Sequence, residues 1–223
     1  MSIAERSARA SALGAAAGRV EACRRCALGS TRRRSVYGEG DPCAGLMLVG
    51  EGPGETEDRL GRPFVGRAGE LLERMLAAIG LAREDVYICN TVKCRPTLAQ
   101  GERLRNRPPT PDEMAHCRSY LDEQIGIVRP RVILALGAPA ARSFLGPTFS
   151  VGKQRGQWFD GPQNTPLLAT YHPAYVLRTT GGELLAVKRL VWNDLQAVRA
   201  RLDELARPAR IEPQQAALFE GPG

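Results

Sequence analysis

The hydrophobic positions of this chain fall into short continuous runs separated by longer amphipathic stretches. Four runs have the length and β-branched content of buried strands, and they are Gly45–Gly50, Val86–Val92, Arg131–Gly137 and Pro166–His172. A strand that is apolar on both faces is typical of a parallel sheet covered on each side. We therefore predict four inner strands of such a sheet.

The stretches between these runs repeat their apolar residues at helical spacing. The predicted helices are Ala68–Ile79, Pro111–Val128, Ala138–Leu145 and Glu183–Leu205, and the alanine-rich N-terminus is also expected to be helical. Thr110, Pro111 and Glu113 form the pattern of a capping box with proline at the first helical position. The long apolar stripe of the last helix is interpreted as core packing.

Strands that alternate with helices predict the α/β class, here a three-layer α/β/α sandwich with a central four-stranded, mainly parallel sheet. Ligands bind such sheets at the carboxyl ends of the strands, which marks the loop after Gly50, the surroundings of Asn90 and those of His172. Periodicity ends near Arg207, where proline, glycine and glutamine become frequent. We predict one domain over residues 1–206 and a flexible tail over 207–223.

Composition and charge narrow the class of protein. The 223 residues carry a formal charge of +7, and only three of the 31 basic residues are lysines. Guanidinium groups suit phosphate, so nucleic acid is a candidate partner, although a basic surface can serve solubility alone. No stretch approaches the ~18 apolar residues of a membrane span, and the N-terminus lacks the apolar core of a secretion signal. We expect a monomer that is soluble and cytoplasmic, associated with the nucleoid.

Six cysteines are too few for a disulfide scaffold, but four of them could form one site. Cys23 and Cys26 form a C-x-x-C pair, and Cys94 and Cys117 follow much later. Such a set can hold zinc or an iron–sulfur cluster, and the spacing leaves both open, as it does inert buried thiols. A redox dithiol is disfavoured because no predicted strand precedes Cys23.

The loop after the first strand, 50–58, combines glycines with four carboxylates. It is not a dinucleotide fingerprint, because Glu55 stands where glycine is needed, and it lacks the Gly-Lys-Ser/Thr of a Walker loop. The carboxylates could orient water or stabilise a developing cation, or they could simply be solvated in a tight turn.

Three segments together give a specific resemblance. GEGPGETEDRLGRPFVGRAGELL (50–72), NTVKCRP (90–96) and HPAYVLR (172–178) resemble the type-4 uracil-DNA glycosylases in order and spacing, from Cys23 to about Leu205. The resemblance implies an α/β/α fold and a [4Fe–4S] cluster on Cys23, Cys26, Cys94 and Cys117. It also implies removal of uracil from DNA by hydrolysis, which leaves an abasic site in base excision repair. The Gly-Gln-Asp-Pro motif of better-known glycosylases is absent, so the group that activates water is the open assignment.

The resemblance also indicates roles for single residues. Phe64 would stack on a flipped uracil, Asn90 would read its edge, and neutral His172 would donate to O2 as the base leaves. Glu51, Gly52 and Pro53 belong to the pocket segment, with Glu51 expected to position the attacking water and Glu57 as a second acidic candidate. Each of these residues could instead have only a structural role.

The expected contacts to DNA lie around this pocket. Leu177 could enter the gap left by the flipped nucleotide, from a loop in which Arg178 grips a phosphate. Further possible phosphate contacts are Arg62, Arg67, Lys93, Arg95 and Arg155.

The tail contains one short motif. Gln215, Leu218 and Phe219 resemble the Gln-x-x-Leu-Phe peptides that dock on the bacterial sliding clamp. The alternative is an idle tail, or one that packs on its own domain.

Two other functions are alternatives to hydrolysis. One is a relative that traps the sugar covalently through a histidine-bearing basic loop, which is disfavoured because the only histidine between Cys94 and Cys117 is His116. The other is an iron–sulfur module that binds DNA without cutting it.

Overall fold

A mixed six-stranded sheet forms the centre of the protein in the computed structural model, which describes residues 2–100 and 103–206. The strands in chain order are β1 (Gly38–Gly40), β2 (Leu46–Gly50), β3 (Val86–Asn90), β4 (Thr97–Gln100), β5 (Arg103–Asn106), β6 (Val132–Leu136), β7 (Trp158–Asp160) and β8 (Pro166–Thr170). The sheet order is β1-β3-β2-β6-β8-β7, and β4 and β5 pair separately as a hairpin.

The four inner strands of the sheet, β3, β2, β6 and β8, are the four predicted strands, and they pair with one another in parallel. The prediction of four strands was nevertheless too low. β1 and β7 add antiparallel edges of three residues each. Both are too short to give an apolar run, and β1 also has no apolar side chain. The α/β class with a mainly parallel centre is confirmed.

The helices are α1 (Ile3–Glu21), α2 (Leu28–Thr31), α3 (Glu55–Leu60), α4 (Arg67–Ala78), α5 (Pro111–Val128), α6 (Ala138–Leu145), α7 (Val151–Gln154), α8 (Pro173–Arg178) and α9 (Glu183–Ala206). The predicted helices agree with α1, α4, α5, α6 and α9, and Thr110 and Glu113 form the capping box of α5. None of the helices in the described part meets the length and hydropathy needed to cross a membrane.

Buried hydrophobic residues cover both faces of the sheet. Leu46 and Leu48 of β2 face a core completed by α4 and α9, whereas Met47 and Val49 face a core completed by α1 and α5. This alternation follows from the two-residue period of a strand. Because both faces are buried, the polar functional groups of the fold gather at the ends of the strands.

The parallel register aligns the carboxyl ends of the inner strands. Gly50 pairs with Asn90 at the ends of β2 and β3, and His172 follows β8 by two residues. The amide of Gly137, after β6, donates to the carbonyl of Thr170 at 2.8 Å. The three regions marked by the sequence therefore meet at one edge of the sheet.

Candidate active site

A cavity of about 890 Å³ opens at this edge of the sheet. Phe64, Asn90 and His172 all line it, and so do the loop residues Glu51, Gly52 and Pro53. Phe64 and His172 are more than 100 residues apart in the sequence. The fold brings both of them to Asn90, at the carboxyl ends of the parallel strands. The cavity has room for a base and part of its sugar.

Asn90 contributes an unused hydrogen-bond acceptor to this cavity. The residue is 2% exposed, and its Oδ1 is buried without a hydrogen-bond partner. A β-carbon at Gly50 would lie 2.4 Å from that oxygen and 2.6 Å from Cζ of Phe64, so glycine is required beside both. A buried acceptor without a partner is costly unless a ligand supplies the donor.

Phe64 is held in a conformation that L-residues rarely adopt. Its φ is 51°, and its carbonyl accepts a hydrogen bond from Nη1 of Arg83 at 3.0 Å. The amides of Val65 and Gly66 donate to Oε1 of Glu57 at 2.9 and 2.8 Å. Left-handed backbone of this kind costs about 1–3 kcal/mol, so contacts on both sides of Phe64 are needed to keep its ring in place.

His172 is oriented by the helix that it begins. It is the N-cap of α8, and its Nδ1 accepts a hydrogen bond from the amide of Ala174 at 3.0 Å. The neutral ring must then carry its proton on Nε2. Burial lowers the pKa of His172 to about 4, and the nearby positive charge of Arg178 acts in the same direction. The ring stacks on Phe64 with centroids 5.6 Å apart.

The expectation of one loop over 50–58 was wrong, because Glu55–Leu60 form α3. Glu51 lies in the loop after β2, whereas Glu55, Glu57 and Asp58 lie on that helix, and the four carboxylates have different environments. Burial raises the pKa of Glu51 above its usual range, and the charge of Arg178 opposes that shift. Glu57 also lines the cavity, but its carboxylate holds the loop that carries Phe64. Asp58 is buried and accepts from the amide of Arg33, and Glu55 is exposed.

The basic residues expected to contact phosphate differ in their exposure and in their partners. Arg67 and Arg178 are exposed at the cavity, and Leu177 is 38% exposed on α8. The expectation of a loop at 175–178 was wrong, since His172 caps a helix there. Arg62 is exposed but donates to both carboxylate oxygens of Glu39.

Two predicted phosphate contacts are buried, and a third is engaged elsewhere. Lys93 is fully buried, so its expected contact to phosphate was wrong. Arg95 is 7% exposed and donates to Asn106 at 2.7 Å. Arg155 is paired with buried Asp194, which also accepts from Thr170 just before His172. Charge alone could not separate these cations from the exposed ones.

A second, smaller cavity is lined by Cys23, Cys26, Cys94 and Cys117. All four are free thiols, and Nη1 of Arg32 lies 2.9 Å from Sγ of Cys94. The other two cysteines, Cys43 and Cys89, do not line this cavity. Over the described residues, no group of three His, Cys, Asp or Glu side chains is close enough to hold one metal ion.

Sequence reasoning missed Arg83, Arg32 and the structural use of Glu57. Arg83 reaches Phe64 from a short 3₁₀ turn 19 residues away, and Arg32 reaches Cys94 across 62 residues. Neither residue belongs to a local motif, so no signal in the sequence separates them from the other arginines.

The predicted tail motif, Gln215, Leu218 and Phe219, lies outside the described residues.

Comparisons with known proteins agree with this geometry. The family model described as the uracil DNA glycosylase superfamily matches residues 37–196. A type-4 uracil-DNA glycosylase of Thermotoga maritima is 45% identical over 82% of this chain and 90% of its own length. One of Sulfurisphaera tokodaii is 44% identical over 81% and 80%. A type-5 uracil-DNA glycosylase of Thermus thermophilus is more distant, at 32% over 66% and 73%.

Proposed function

The chain belongs to the type-4 uracil-DNA glycosylases of the uracil-DNA glycosylase superfamily, and from that membership we propose how its own residues perform the reaction. It is a DNA repair enzyme, a monofunctional glycosylase that binds uracil-containing DNA. The enzyme hydrolyses the N-glycosidic bond of uracil and leaves an abasic site. The roles of single residues, the metal centre and further partners are our proposals.

The unpartnered Oδ1 of Asn90 is the observation that carries the proposal. Uracil presents a donor at N3 and an acceptor at O4, so Oδ1 would accept from N3–H while the amide nitrogen donates to O4. Cytosine presents the opposite pattern at both positions, and pairing it would leave buried polar groups unsatisfied. An amide in this orientation would thus select uracil over cytosine.

Phe64 would supply the apolar face against which the base lies. The target nucleotide must leave the helical stack before its glycosidic bond is reachable, and aromatic stacking compensates part of that cost. The left-handed backbone of Phe64, held by Arg83 and Glu57, fixes where that face stands. Gly52 and Pro53 line the same cavity and would contact the base through their backbone.

His172 would stabilise the uracil anion as the bond breaks. Because Nδ1 accepts from Ala174, the proton on Nε2 is available for uracil O2. The lowered pKa keeps the ring neutral at physiological pH, so it acts as a hydrogen-bond donor to the developing negative charge. No proton need be transferred, since the uracil anion is the leaving group.

Glu51 is our candidate for positioning the attacking water. It lines the cavity, and as a carboxylate it would also stabilise the positive charge that develops on the sugar. Glu57 remains the second acidic candidate, but the hydrogen bonds that it accepts from Val65 and Gly66 support a role in positioning the loop of Phe64 instead.

DNA phosphates would contact Arg178 and Arg67 at the rim of the cavity, and Leu177 would fill the space left by the flipped nucleotide. Arg62 and Arg95, which are held by Glu39 and Asn106, have weaker support as DNA contacts.

We propose that Cys23, Cys26, Cys94 and Cys117, which line the second cavity, hold a [4Fe–4S] cluster. The four thiols are unpaired around one space, and each would bind a different iron atom, so they need not converge as ligands of a single ion do. Hydrolysis moves no electrons, and the centre would therefore serve as a cross-link between the C-terminal end of α1, the segment after β3 and α5. Arg32 would donate to one of its sulfurs.

Incubation with an oligonucleotide that contains one uracil, followed by alkali, tests the activity directly. We expect strand scission at the uracil and intact strands when thymine replaces it. A protein that binds the oligonucleotide but leaves it intact would be a DNA-binding module. A protein that stays covalently attached would belong to the sugar-trapping relatives, and either result would overturn the proposal.

We further propose that the tail docks on the bacterial sliding clamp through Gln215, Leu218 and Phe219. A pair of apolar anchors can enter a groove from a segment that orders on binding. The double variant Leu218→Ala, Phe219→Ala should lose clamp binding in a pull-down while its excision rate on free oligonucleotide is unchanged. Slower excision would instead assign these residues to the catalytic domain, and unchanged binding would remove the motif from consideration.

The remaining proposals concern organisation. We propose that residues 1–206 form one catalytic domain, followed by the tail 207–223, and that the enzyme acts as a monomer. Its substrate is consistent with a cytoplasmic, nucleoid-associated protein.

A further inference from the structure

A buried carboxylate on α9, that of Asp194, contacts the strand end from which His172 emerges. Asp194 is 1% exposed, and its Oδ2 accepts a hydrogen bond from the hydroxyl of Thr170 at 2.5 Å. Thr170 is the last residue of β8 and is fully buried, and His172 follows it by two residues. This contact between α9 and β8 therefore ends close to the residue that would donate to the leaving uracil.

Arg155 provides the counter-charge for this carboxylate. Its guanidinium donates to both oxygens of Asp194, with Nε 2.7 Å from Oδ2, and also to the carbonyl of Leu190 at 2.8 Å. A buried carboxylate without such a partner is strongly unfavourable. The space beside it is restricted as well, because a β-carbon at Gly156 would lie 2.6 Å from Oδ1. The carboxylate thus has one defined position, in which Oδ2 faces Thr170.

The backbone of Thr170 is held from another side by the segment after β6. Its carbonyl accepts from the amide of Gly137 at 2.8 Å, and a β-carbon at Gly137 would lie 3.0 Å from Cβ of His172. On its other side His172 begins α8 and accepts from the amide of Ala174. The imidazole therefore lies between two anchored points, Thr170 before it and the first turn of α8 after it.

We propose that Asp194 and Thr170 are positioning residues for His172. Neither of them lines the cavity of about 890 Å³, so they act on the substrate only through another residue. The carboxylate, balanced by Arg155, holds the end of β8 such that Nε2 of His172 faces O2 of the flipped uracil. This inference rests on the proposed function, because it gives His172 the part of donating to O2.

Two substitutions of Thr170 separate positioning from packing. Thr170→Val keeps the shape of the side chain and removes the hydroxyl, while Asp194 retains its bonds to Arg155. We expect kcat in single-turnover excision to fall about tenfold, because a small misplacement of a reacting group is costly. DNA affinity should be unchanged, since the interaction that weakens is made in the transition state.

Thr170→Ser is the matched rescue variant, because it keeps the hydroxyl donor and loses only a methyl group. It should retain a rate within about threefold of wild type, since its hydroxyl can still donate to Asp194. A larger loss from serine than from valine would assign Thr170 to packing and overturn the inference. If Thr170→Val does not fold, Thr170→Ala replaces it, since alanine and serine differ by one oxygen atom.

A double-mutant cycle identifies the residue through which the hydroxyl acts. In the His172→Ala background, Thr170→Val should cost less than about twofold, because the group that it positions is already absent. The control background is Asn90→Ala, which removes the contacts to N3 and O4 instead of O2, and there the full loss should persist. Equal losses in the two backgrounds would mean that the hydroxyl supports the pocket as a whole, and the inference would be wrong.

NMR of the imidazole nitrogens tests the positioning without a substrate. The chain has two histidines, so the signals of His172 can be assigned with a His116→Gln variant. Thr170→Val should shift the ring nitrogens of His172, whereas Thr170→Ser should leave them close to their wild-type values. Identical spectra for all three proteins would contradict the inference, whereas a wild-type protein that excises no uracil would contradict the proposed function.

Discussion

Replacing His172 with alanine is expected to lower kcat by about 10²–10³, the usual cost of removing one donor to a developing negative charge. The imidazole of His172 has its Nδ1 occupied by the amide of Ala174, and only Nε2–H can serve the leaving uracil. Single-turnover excision of uracil from an oligonucleotide measures the chemical step without product release. DNA affinity should change little, because phosphate contacts supply most of it.

His172→Gln is the matched variant, because its side-chain amide offers an N–H donor at a similar reach. We expect it to recover part of the rate lost in His172→Ala. If alanine and glutamine give equal losses, the side chain serves packing rather than donation. Wild-type rates for both variants would remove His172 from the reaction.

The pH dependence follows from the lowered pKa of His172. The ordinary value is 6.5 and burial brings it to about 4, so between these two pH values the unfolded chain binds a proton that the folded chain does not. Stability supplied by the neutral ring is therefore complete above about pH 6.5 and decreases as the pH falls towards 4. Urea unfolding at pH 7 and pH 4.5 should show a larger decrease for wild type than for His172→Gln. Equal decreases would contradict the assignment.

Excision should show a different dependence on pH. Because His172 stays neutral down to about pH 4, its titration does not limit the rate near neutrality. The acid limb should instead come from Glu51, whose pKa is raised by burial, since a protonated carboxyl group loses its attraction for the attacking water and for the sugar cation.

The inner strands of the sheet were predictable because a strand that is buried on both faces has apolar residues at nearly every position. β2 and β6 contain no polar side chain, and α5 carries its own capping box. The edge strands have no such apolar run. β1 is Gly-Glu-Gly and is a strand only because β3 offers it backbone partners. Its pairing is a property of the tertiary structure.

Glu51, Asn90 and His172 were predictable for a related reason, since they lie at or just after the carboxyl ends of β2, β3 and β8. Phe64 lies between α3 and α4, and only the family resemblance indicated it. The uses of the basic residues were not predictable. Arg178 and Lys93 both belong to recognisable motifs, yet Arg178 is exposed at the rim and Lys93 is fully buried, with its Nζ bonded to the carbonyl of Asn90 and to Gln124. A long cationic side chain can reach water or a distant partner from the same backbone position. Only the packing around it decides which.

Cys94→Ser is expected to give a colourless protein that has lost much of its stability. If the proposed iron–sulfur centre is present, purified wild type should be yellow-brown. Substitutions that remove a structural metal can lower the free energy of unfolding by more than about 4 kcal/mol. For a domain of this size, such a decrease lowers Tm by about 10 °C or more. The segment with Cys23 and Cys26 explains the magnitude, because it joins the remainder of the fold through few buried residues of its own. Absorbance, iron content and thermal unfolding measure the result.

Cys43→Ser is the control for this variant, because Cys43 is a half-buried free thiol outside the cavity of four cysteines. It should keep its colour, its iron and its Tm. A wild-type protein that is colourless, stable and contains zinc would contradict the cluster. Cys94→Ser with full stability would instead contradict the cross-link, and with it the reason for placing a metal centre in an enzyme whose reaction transfers no electrons. Because α1 and α5 already pack on one face of the sheet, the centre would stabilise mainly the turn between α1 and α2, where the apolar core is thinnest.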